Sequence, residues 1–255
     1  MATLTWNSAY GFDLADIDLS NLLYAYSYSR SSTRFSANYN ASGSRRDEFR
    51  GTGFNYDVNG TPIGGTVTSY AAYYYGTKTA SITGASISAT SIAAAAETLS
   101  GADDLRVFRT VLSGNDNITG GLGNDKLEGF NGKDMLYGRL GADKLYGGLG
   151  ADAFTFKSTK DSTVFASGRD TIYDFSYTQG DRIDLRSIDA NTKAAGNQAF
   201  SFIGKNAFHQ KAGELRYEKY GSGVIVSGDV NGDGNADFSI HLKNLASVSK
   251  AYFML

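Results

Sequence analysis

A nine-residue repeat in the middle of the chain constrains its fold more than any other feature. Five consecutive units run from residue 111 to residue 155 and have the sequences VLSGNDNIT, GGLGNDKLE, GFNGKDMLY, GRLGADKLY and GGLGADAFT. Each unit has glycine at its fourth place, aspartate at its sixth and an apolar residue at its eighth. The apolar residues are Ile118, Leu127, Leu136, Leu145 and Phe154. This period predicts a parallel β-roll, in which every unit contributes a turn and a short strand.

The glycine and aspartate of each unit have the chemistry of a calcium-binding turn. Glycine permits positive φ and a close approach of backbone carbonyls, and aspartate supplies the hard carboxylate oxygen that Ca²⁺ prefers. A flexible linker would have no reason to keep an apolar residue every nine positions. We therefore take the third to sixth residues of each unit as candidate calcium-binding residues. They are Ser113, Gly114, Asn115, Asp116, Leu122, Gly123, Asn124, Asp125, Asn131, Gly132, Lys133, Asp134, Leu140, Gly141, Ala142, Asp143, Leu149, Gly150, Ala151 and Asp152.

The five units match the G-G-x-G-x-D-x-U-x motif, and the chain resembles the repeats-in-toxin (RTX) family of secreted bacterial proteins. The resemblance implies that two units form one coil and that each calcium ion lies between a turn and the turn eighteen residues later. It implies the pairs Asp116 with Asp134, Asp125 with Asp143, and Asp134 with Asp152, and about three to five calcium ions in all.

The nine-residue phase continues beyond the clear repeats. It reaches Asp161 and Asp170, which we predict as further calcium ligands, pairing Asp143 with Asp161 and Asp152 with Asp170. Upstream, Asp103 lies in a similar local pattern but out of phase with the repeat. Either a metal-binding role or a helix-capping or loop role remains open for Asp103.

The C-terminal part of the chain, from about residue 101 to residue 255, resembles the C-terminal domain of serralysin-type proteases. Segments 152–156, 170–175 and 180–185 are similar to the exit of its β-roll, and segments 208–217 and 229–240 to its capping hairpins. The apolar end, residues 251–255, is similar to its secretion tail. The resemblance implies type I secretion with an uncleaved C-terminal signal, and the type I secretion machinery as a partner.

Asp229, Asn231, Asp233 and Asp237 also resemble the first half of an EF-hand loop. Ile240 stands where that loop needs a bidentate glutamate. A tight turn of a capping hairpin is therefore the favoured interpretation.

Motifs of catalysis are missing. Serralysins carry H-E-x-x-H, whereas this chain has only His209 and His241, and neither lies in such a motif. The sequence also lacks a G-x-S-x-G elbow, a P-loop and a dinucleotide fingerprint. We predict structural roles for both histidines and no catalytic residues, and hence no enzyme.

The first hundred residues differ in composition and are rich in tyrosine. Alternation around 24–28 and 33–39 predicts two strands joined near 29–32, and 51–60 with 64–70 predicts a hairpin that turns at 59–62. A short helix is expected at 91–99. Tyr73, Tyr74 and Tyr75 cannot all face one side of a strand, so at least one should be exposed and available for ligand contact. The aromatic face is either a carbohydrate-binding platform or a cap on the β-roll.

Composition limits the partners. With 255 residues, a net charge of −2 and no cysteine, the chain has neither a disulfide nor the basic balance of a nucleic-acid-binding protein. No run of eighteen apolar residues is present, so no transmembrane segment is expected. The first twenty residues also lack the basic and apolar parts of a signal peptide.

Together these features predict an all-β protein: a right-handed parallel β-roll (RTX solenoid) flanked by an N-terminal β region and a C-terminal hairpin or sandwich cap. The predicted domains are 1–100, 101–185 and 186–255. The predicted function is a secreted, extracellular calcium-binding protein that binds a matrix polysaccharide or a cell surface. A polysaccharide lyase or epimerase with its active site in residues 1–100, and a membrane-active toxin, are the alternatives.

Overall fold

The structure is a computed structural model that describes all 255 residues and divides them into two compact units. The first unit consists of Met1–Ser8 and Asp13–Asn117. The second consists of Ala9–Phe12 and Ile118–Leu255.

An antiparallel sheet forms the first unit. Its strands are β1 (Thr3–Trp6), β2 (Ser27–Arg30), β3 (Arg34–Asn38), β4 (Arg46–Tyr56), β5 (Pro62–Tyr74) and β6 (Thr77–Ser88). Their order across the sheet is β1-β6-β5-β4-β3-β2. Both predicted hairpins are present, because β2 pairs with β3 and β4 pairs with β5.

The two faces of this sheet differ sharply. Phe35, Phe49 and Tyr70 are neighbours across β3, β4 and β5, with ring centroids 6.1 and 5.0 Å apart. Successive residues of a strand point to opposite faces, so the adjacent row of Arg34 and Arg50 lies on the other side. One face is therefore an aromatic core and the other is polar.

Two helices pack on the core face. Helix α1 (Ala89–Ala96) begins at Ser88, whose hydroxyl oxygen accepts a hydrogen bond from the Thr90 backbone N–H at 3.2 Å. Helix α2 (Gly101–Val111) buries Val107 and Phe108. The short 3₁₀ helices Leu14–Asp16 and Leu19–Tyr24 complete this layer.

Helix α2 was not predicted from the sequence, which left either a metal-binding role or a helix-capping or loop role for Asp103. Leu105, Phe108 and Leu112 have the spacing of one helical face, and two acidic residues lie in the first turn, where the helix dipole favours them. The Asp103 carboxylate accepts a hydrogen bond from the Thr98 hydroxyl at 2.6 Å, which fits the helix-terminal role rather than a turn of the roll.

Twelve short strands follow along the chain. They are β7 (Asn117–Thr119), β8 (Lys126–Glu128), β9 (Met135–Tyr137), β10 (Lys144–Tyr146), β11 (Ala153–Thr155), β12 (Thr171–Ile172), β13 (Arg182–Asp184), β14 (Ser201–Gly204), β15 (Glu214–Tyr220), β16 (Gly223–Asp229), β17 (Phe238–Leu242) and β18 (Phe253–Met254).

Alternate strands of the repeat stack in two parallel rows, as the nine-residue period predicts. One row contains β9, β11, β13 and β18, and the other contains β8, β10, β12 and β17. The apolar eighth residues fill the space between the rows, and Leu127, Leu136, Leu145 and Phe154 are fully buried. The all-β fold class with a parallel β-roll is confirmed.

The roll is interrupted before its last coil. Between β13 and β17 the chain forms β14, β15 and β16, of which β15 and β16 make an antiparallel hairpin that continues onto β17. The chain then rejoins the parallel rows, where His241 is the register partner of Thr171 and Phe253 is that of Ile183. This extension is the predicted C-terminal hairpin region. No helix in the structure combines the length and the apolar character needed to cross a bilayer.

Candidate calcium sites

The repeat aspartates form two buried rows, one along each parallel sheet. Asp125, Asp143 and Asp170 directly precede β8, β10 and β12, and the other row directly precedes β7, β9, β11 and β13. The members of that second row are Asp116, Asp134, Asp152 and Asp181. All seven side chains are at most 2% exposed. Buried carboxylates without a compensating positive charge are costly, so this arrangement requires a chemical explanation.

One oxygen of each carboxylate holds the preceding coil. Asp143 Oδ1 accepts a hydrogen bond from the Asp125 backbone N–H at 2.8 Å, and Asp170 Oδ1 accepts one from the Asp143 N–H at 2.9 Å. In the other row, Asp152 Oδ1 accepts one from the Asp134 N–H at 2.9 Å. Each aspartate thus fixes the distance between two successive coils.

The second carboxylate oxygens face a space that is rich in oxygen atoms. Oδ2 of Asp143, Asp152 and Asp170 is buried and has no hydrogen-bond partner. A Cβ added at Gly129 would lie 2.5 Å from the Gly147 carbonyl oxygen and 2.5 Å from the Asp134 Oδ2. Only glycine leaves this space open.

The residues present fit calcium. Carboxylate and backbone carbonyl oxygens are the ligands that Ca²⁺ prefers, and turns built from glycine bring both kinds together. No cluster of three or more His, Cys, Asp or Glu side chains is assembled in the structure. A calcium site here would therefore combine two carboxylates from neighbouring coils with backbone carbonyls.

Burial and mutual repulsion perturb these carboxylates. Burial raises the pKa of Asp125 to about 6 and, with help from Asp125 and Asp161, that of Asp143 to about 7. Burial together with Asp181 and Asp174 raises the pKa of Asp152 to about 6. The same causes, with Asp143 as the main charged neighbour, raise the pKa of Asp170 well above its ordinary value. A divalent cation would favour the ionised forms.

The spacing of partners follows the prediction in the clear repeats and departs from it afterwards. Asp125 with Asp143 and Asp134 with Asp152 are eighteen residues apart, as expected. Asp143, however, is joined to Asp170, 27 residues later, and Asp152 to Asp181, 29 residues later. The hydrogen bonds of the ladder therefore do not join the predicted pairs, Asp143 with Asp161 and Asp152 with Asp170.

An excursion of the chain after β11 explains the change of register. Asp161 lies in that excursion, and its Oδ2 accepts hydrogen bonds from the backbone N–H groups of Lys157 and Ser158 at 2.7 and 3.0 Å. Asp161 thus closes a local turn, although it lies near enough to Asp143 to raise the pKa of that carboxyl. Its ligation of calcium stays a prediction.

Three residues that the repeat pattern did not predict contact the turns of the ladder. Asp181 takes the ladder position after Asp152, Asp174 accepts hydrogen bonds from the N–H groups of Gly147 and Gly148 at 3.0 and 2.9 Å, and Gln179 accepts one from Gly150 at 3.0 Å. A signal for Asp181 existed in its local pattern. Asp181 is followed two residues later by a buried isoleucine, as Asp170 is.

A segment from outside the repeat completes the first turn of one row. The Phe12 N–H donates a hydrogen bond to Asp125 Oδ1 at 2.7 Å, and the Lys126 N–H donates one to the Phe12 carbonyl at 2.6 Å. Asp125 forms the same pair of hydrogen bonds with the following coil: its N–H donates to a carboxylate oxygen, and its carbonyl accepts from a backbone N–H. Phe12 therefore occupies an aspartate position without supplying a carboxylate.

The loop after Asp229 shows how a carboxylate is satisfied without a cation. Asp229 Oδ1 accepts hydrogen bonds from the Asn231 and Gly232 N–H groups, and Oδ2 accepts one from the Gly234 N–H at 2.9 Å. Backbone donors surround this buried carboxylate. The favoured interpretation of the segment as a tight turn agrees with these contacts.

The two histidines lie in different surroundings. His209 Nδ1 lies 2.8 Å from Glu214 Oε1 and the His209 side chain is largely exposed, while the His241 ring packs edge-on against Tyr220. In the first unit, the Tyr39 and Tyr70 hydroxyls both donate hydrogen bonds to Asp47 at 2.7 and 2.8 Å. This cluster belongs to the core side of the sheet, on which Phe49 lies next to Tyr70.

The tyrosines at the end of β5 were predicted as ligand contacts. Tyr74 and Tyr75 are 51% and 79% exposed, so the predicted exposure is confirmed. Tyr73 lies on the polar face of the sheet, where the Arg46 guanidinium stacks 3.7 Å from its ring centroid. Contact of these tyrosines with a ligand stays a prediction.

Comparison with known proteins identifies the roll. Residues 92–254, well over half of the chain, match the family model of the peptidase M10 serralysin C terminus. Two solved structures are also similar, both subunits of the Azotobacter vinelandii mannuronan C5-epimerase. The AlgE6R3 subunit is 27% identical, with a TM-score of 0.39 over 56% of this chain and 74% of its own. The AlgE6R2 subunit is 22% identical, with a TM-score of 0.38 over 56% and 89%. No curated protein matches the chain.

Proposed function

We propose that this chain, which belongs to the peptidase M10 serralysin C-terminal family of RTX-type modules, folds on calcium outside the cell and binds an acidic extracellular polysaccharide there. The family supports a secreted, calcium-binding RTX protein. The ladder of buried aspartates is the observation that carries the proposal. The polysaccharide is inferred from the polar face of the first unit.

Calcium dependence follows from the energetics of the ladder. Without a cation, the folded roll holds seven nearly inaccessible carboxylates at short range. A bound calcium ion would supply the positive charge that these oxygens lack. At ten times Kd, a site present only in the folded state adds roughly 1.4 kcal/mol, so three to five sites would contribute about 4 to 7 kcal/mol. That is comparable with the whole stability of a typical domain.

The difference in calcium concentration between the cytosol and the outside determines where the roll would fold. Extracellular calcium sites typically have Kd on the order of 10⁻⁴ to 10⁻³ M, far above cytosolic calcium. The roll would therefore stay unfolded before export and would fold after it. This behaviour suits type I secretion, which the RTX family implies.

The polar face of the first unit supports binding of an anionic polymer. Arg34 and Arg50 are direct register partners on β3 and β4, although like charges in that position destabilise a sheet. Two residues along β4, Glu48 accepts contacts from Arg50 at 2.7 Å and Arg46 at 3.8 Å. Two guanidinium groups thus contact one carboxylate, and Arg34 lies opposite Arg50, so this face carries excess positive charge.

Aromatic groups next to these arginines suit a sugar ring. The stacked pair of Arg46 and Tyr73 presents a flat surface, and Tyr combines an apolar face with a polar hydroxyl. Tyr75 has a φ of 49°, a region that is strained for residues other than glycine, and lies in the turn between β5 and β6. The Tyr75 ring also packs edge-on against Tyr74, with ring centroids 4.4 Å apart, so the two exposed tyrosines form one aromatic surface at this turn.

Binding of short oligogalacturonates to the calcium-loaded full chain tests the polysaccharide proposal. We expect saturable binding that weakens with added salt, and at least a fivefold loss in the double variant R34S/R50S. Arg106, an exposed residue of α2, provides the matched control R106S, which should bind as the wild type does. Equal binding of neutral dextran oligomers, or no binding of either, would contradict an anionic ligand.

Calcium-dependent folding is tested separately, by titrating calcium into chelator-treated full chain and following far-ultraviolet circular dichroism. We expect a cooperative gain of β structure. A spectrum that does not change with calcium would overturn this part while leaving the polysaccharide part intact.

A further inference from the structure

The first unit contains an apolar cavity between α1 and the aromatic face of the sheet. Its volume is about 180 Å³. Side chains on the sheet side include Tyr28, Phe35 and Phe54, and those on the helix side include Ile92 and Ala93. A cavity of about 150 Å³ lined by apolar side chains is large enough for benzene. The space is therefore suited to one aromatic ring or a short alkyl chain.

A cation is fixed at one end of this cavity. The Arg30 guanidinium lies 4.7 Å from the ring centroid of Tyr28, and both residues line the cavity. On its other side it packs against Gly60, where an added Cβ would lie 2.7 Å from one terminal guanidinium nitrogen. The Tyr28 ring and the Gly60 backbone thus lie on two sides of the charged group.

The loop that carries Gly60 is itself fixed. Asp57 Oδ1 accepts hydrogen bonds from the N–H groups of Asn59 and Thr61 at 2.9 and 2.8 Å. Gly60 has a φ of 80°, which glycine adopts without strain. The end of the cavity near Arg30 is therefore preorganised.

Charge at this end is not balanced by an ion pair. Arg30 forms no salt bridge with any carboxylate in the structure. Glu97, at the end of α1, is the acidic side chain among the cavity-lining residues, and it is exposed. An anion placed beside Arg30 would gain a charge-assisted, bidentate contact.

We propose that this cavity is a binding site for a small amphiphilic carboxylate, with its aryl or short acyl group among the aromatic side chains and its carboxylate on Arg30. The site lies on the opposite face of the sheet from the arginines proposed to bind polysaccharide. The two proposals are independent, since neither uses a residue of the other.

The first test compares two probes of the same shape, phenylacetate and the neutral 2-phenylethanol, on the calcium-loaded full chain. Chemical-shift changes in a methyl-labelled NMR spectrum, at the methyl groups of Ile92 and Ala93, report binding in the cavity. We expect saturable shifts with phenylacetate and about fivefold weaker binding of the alcohol. No saturable shift with either probe would overturn the site, and equal affinities would overturn the role of Arg30.

Variants separate the apolar part of the site from its charge. A93F should fill the cavity and abolish binding, whereas A94F, on the exposed side of α1 and not among the cavity-lining residues, should leave it unchanged. R30Q should lower the affinity for phenylacetate to that for the alcohol, and E97Q should raise it. Because Arg30 and Glu97 are exposed, these two variants test the proposal even if A93F fails to fold. Undiminished phenylacetate binding by both A93F and R30Q would place the ligand elsewhere and overturn the proposal.

Discussion

The two units of this protein build a core in opposite ways. The first has strands of up to thirteen residues, an aromatic face and two helices that cover it. The roll in the second unit stacks strands of two or three residues from β7 to β13, and a buried aspartate directly precedes each of them. In β8, β9 and β10 only the central side chain is buried between the rows. We expect an ordinary hydrophobic core to be sufficient for the first arrangement, and the proposed calcium ions to supply the positive charge that the second lacks. The comparison thus predicts that calcium affects the stability of the roll and not that of the first unit.

Removing calcium should produce the largest difference in stability between the two units. We expect a chelator to remove protection from amide exchange at β8 to β13, because the ladder loses about 4 to 7 kcal/mol of stabilisation. Trp6, the only tryptophan, lies in β1, so its fluorescence reports the first unit and should stay unchanged. A simultaneous loss of the tryptophan signal would mean that the first unit is not stable by itself.

The stability lost on replacing one ladder aspartate should increase with the number of other aspartates to which it is joined. Asp143 is joined to both Asp125 and Asp170, whereas Asp181 is joined only to Asp152. We expect Asp143→Ala to lower calcium-dependent stability by about 3 kcal/mol and Asp181→Ala by about 1.4 kcal/mol. Urea unfolding followed by far-ultraviolet circular dichroism, with and without calcium, measures the difference. Equal losses would argue against sites shared along the row.

A buried carboxyl in the first unit should respond to pH rather than to calcium. Burial raises the pKa of Asp47 above its ordinary value, although hydrogen bonds from Tyr39 and Tyr70 oppose the rise. The folded state then binds the proton more tightly than the unfolded chain does. The Asp47 contribution is therefore fully present below the ordinary carboxyl pKa and is lost as pH rises through the folded value.

The variant Asp47→Asn should remove this part of the pH dependence. Urea midpoints followed by Trp6 fluorescence at constant high calcium should decline less steeply above pH 4 in the variant than in the wild type. If the two slopes are the same, the raised pKa of Asp47 has no influence on the stability of the first unit.

The smallest effect is expected at the turn between β5 and β6. Tyr75 has a φ of 49°, so Tyr75→Gly should relieve strain and stabilise the first unit by about 0.5 to 1 kcal/mol. The same change should weaken oligogalacturonate binding. Gly76 has a φ of 78° and no atom near its missing Cβ, so Gly76→Ala is the matched control, with strain added and no aromatic group removed. A destabilised Tyr75→Gly would show that the aromatic ring is structural.

Much of the roll could be predicted from the sequence because the role of each residue depends on its place within one nine-residue unit. A nine-residue period fixes which residue turns, which binds and which is buried, and the structure agrees at Leu127, Leu136 and Leu145. The prediction failed where the period stopped. Asp161 keeps the arithmetic phase but lies in an excursion, and the ladder continues instead through Asp170 and Asp181. Counting residues cannot show where a chain leaves the coil and rejoins it.

The first unit was predicted less completely because its structure depends on contacts between residues that are far apart in the sequence. Alternation in the sequence predicted the strands of both hairpins, yet α2 went unrecognised beside a motif that resembles a calcium turn. Pairing across β3, β4 and β5 decided that Phe35 faces the core while Arg34 and Arg50 face away from it. The cavity beside Arg30 likewise exists only because α1 packs over that core.

The β-roll and its family follow from the sequence alone, and so does the prediction of calcium sites, since these depend on residue types at fixed short spacings. The tertiary structure decided which aspartates meet, that Phe12 completes a turn in place of an aspartate, and that two arginines lie opposite each other. These contacts join residues far apart in the chain. Their register depends on loop lengths and packing, on which a local pattern holds no information.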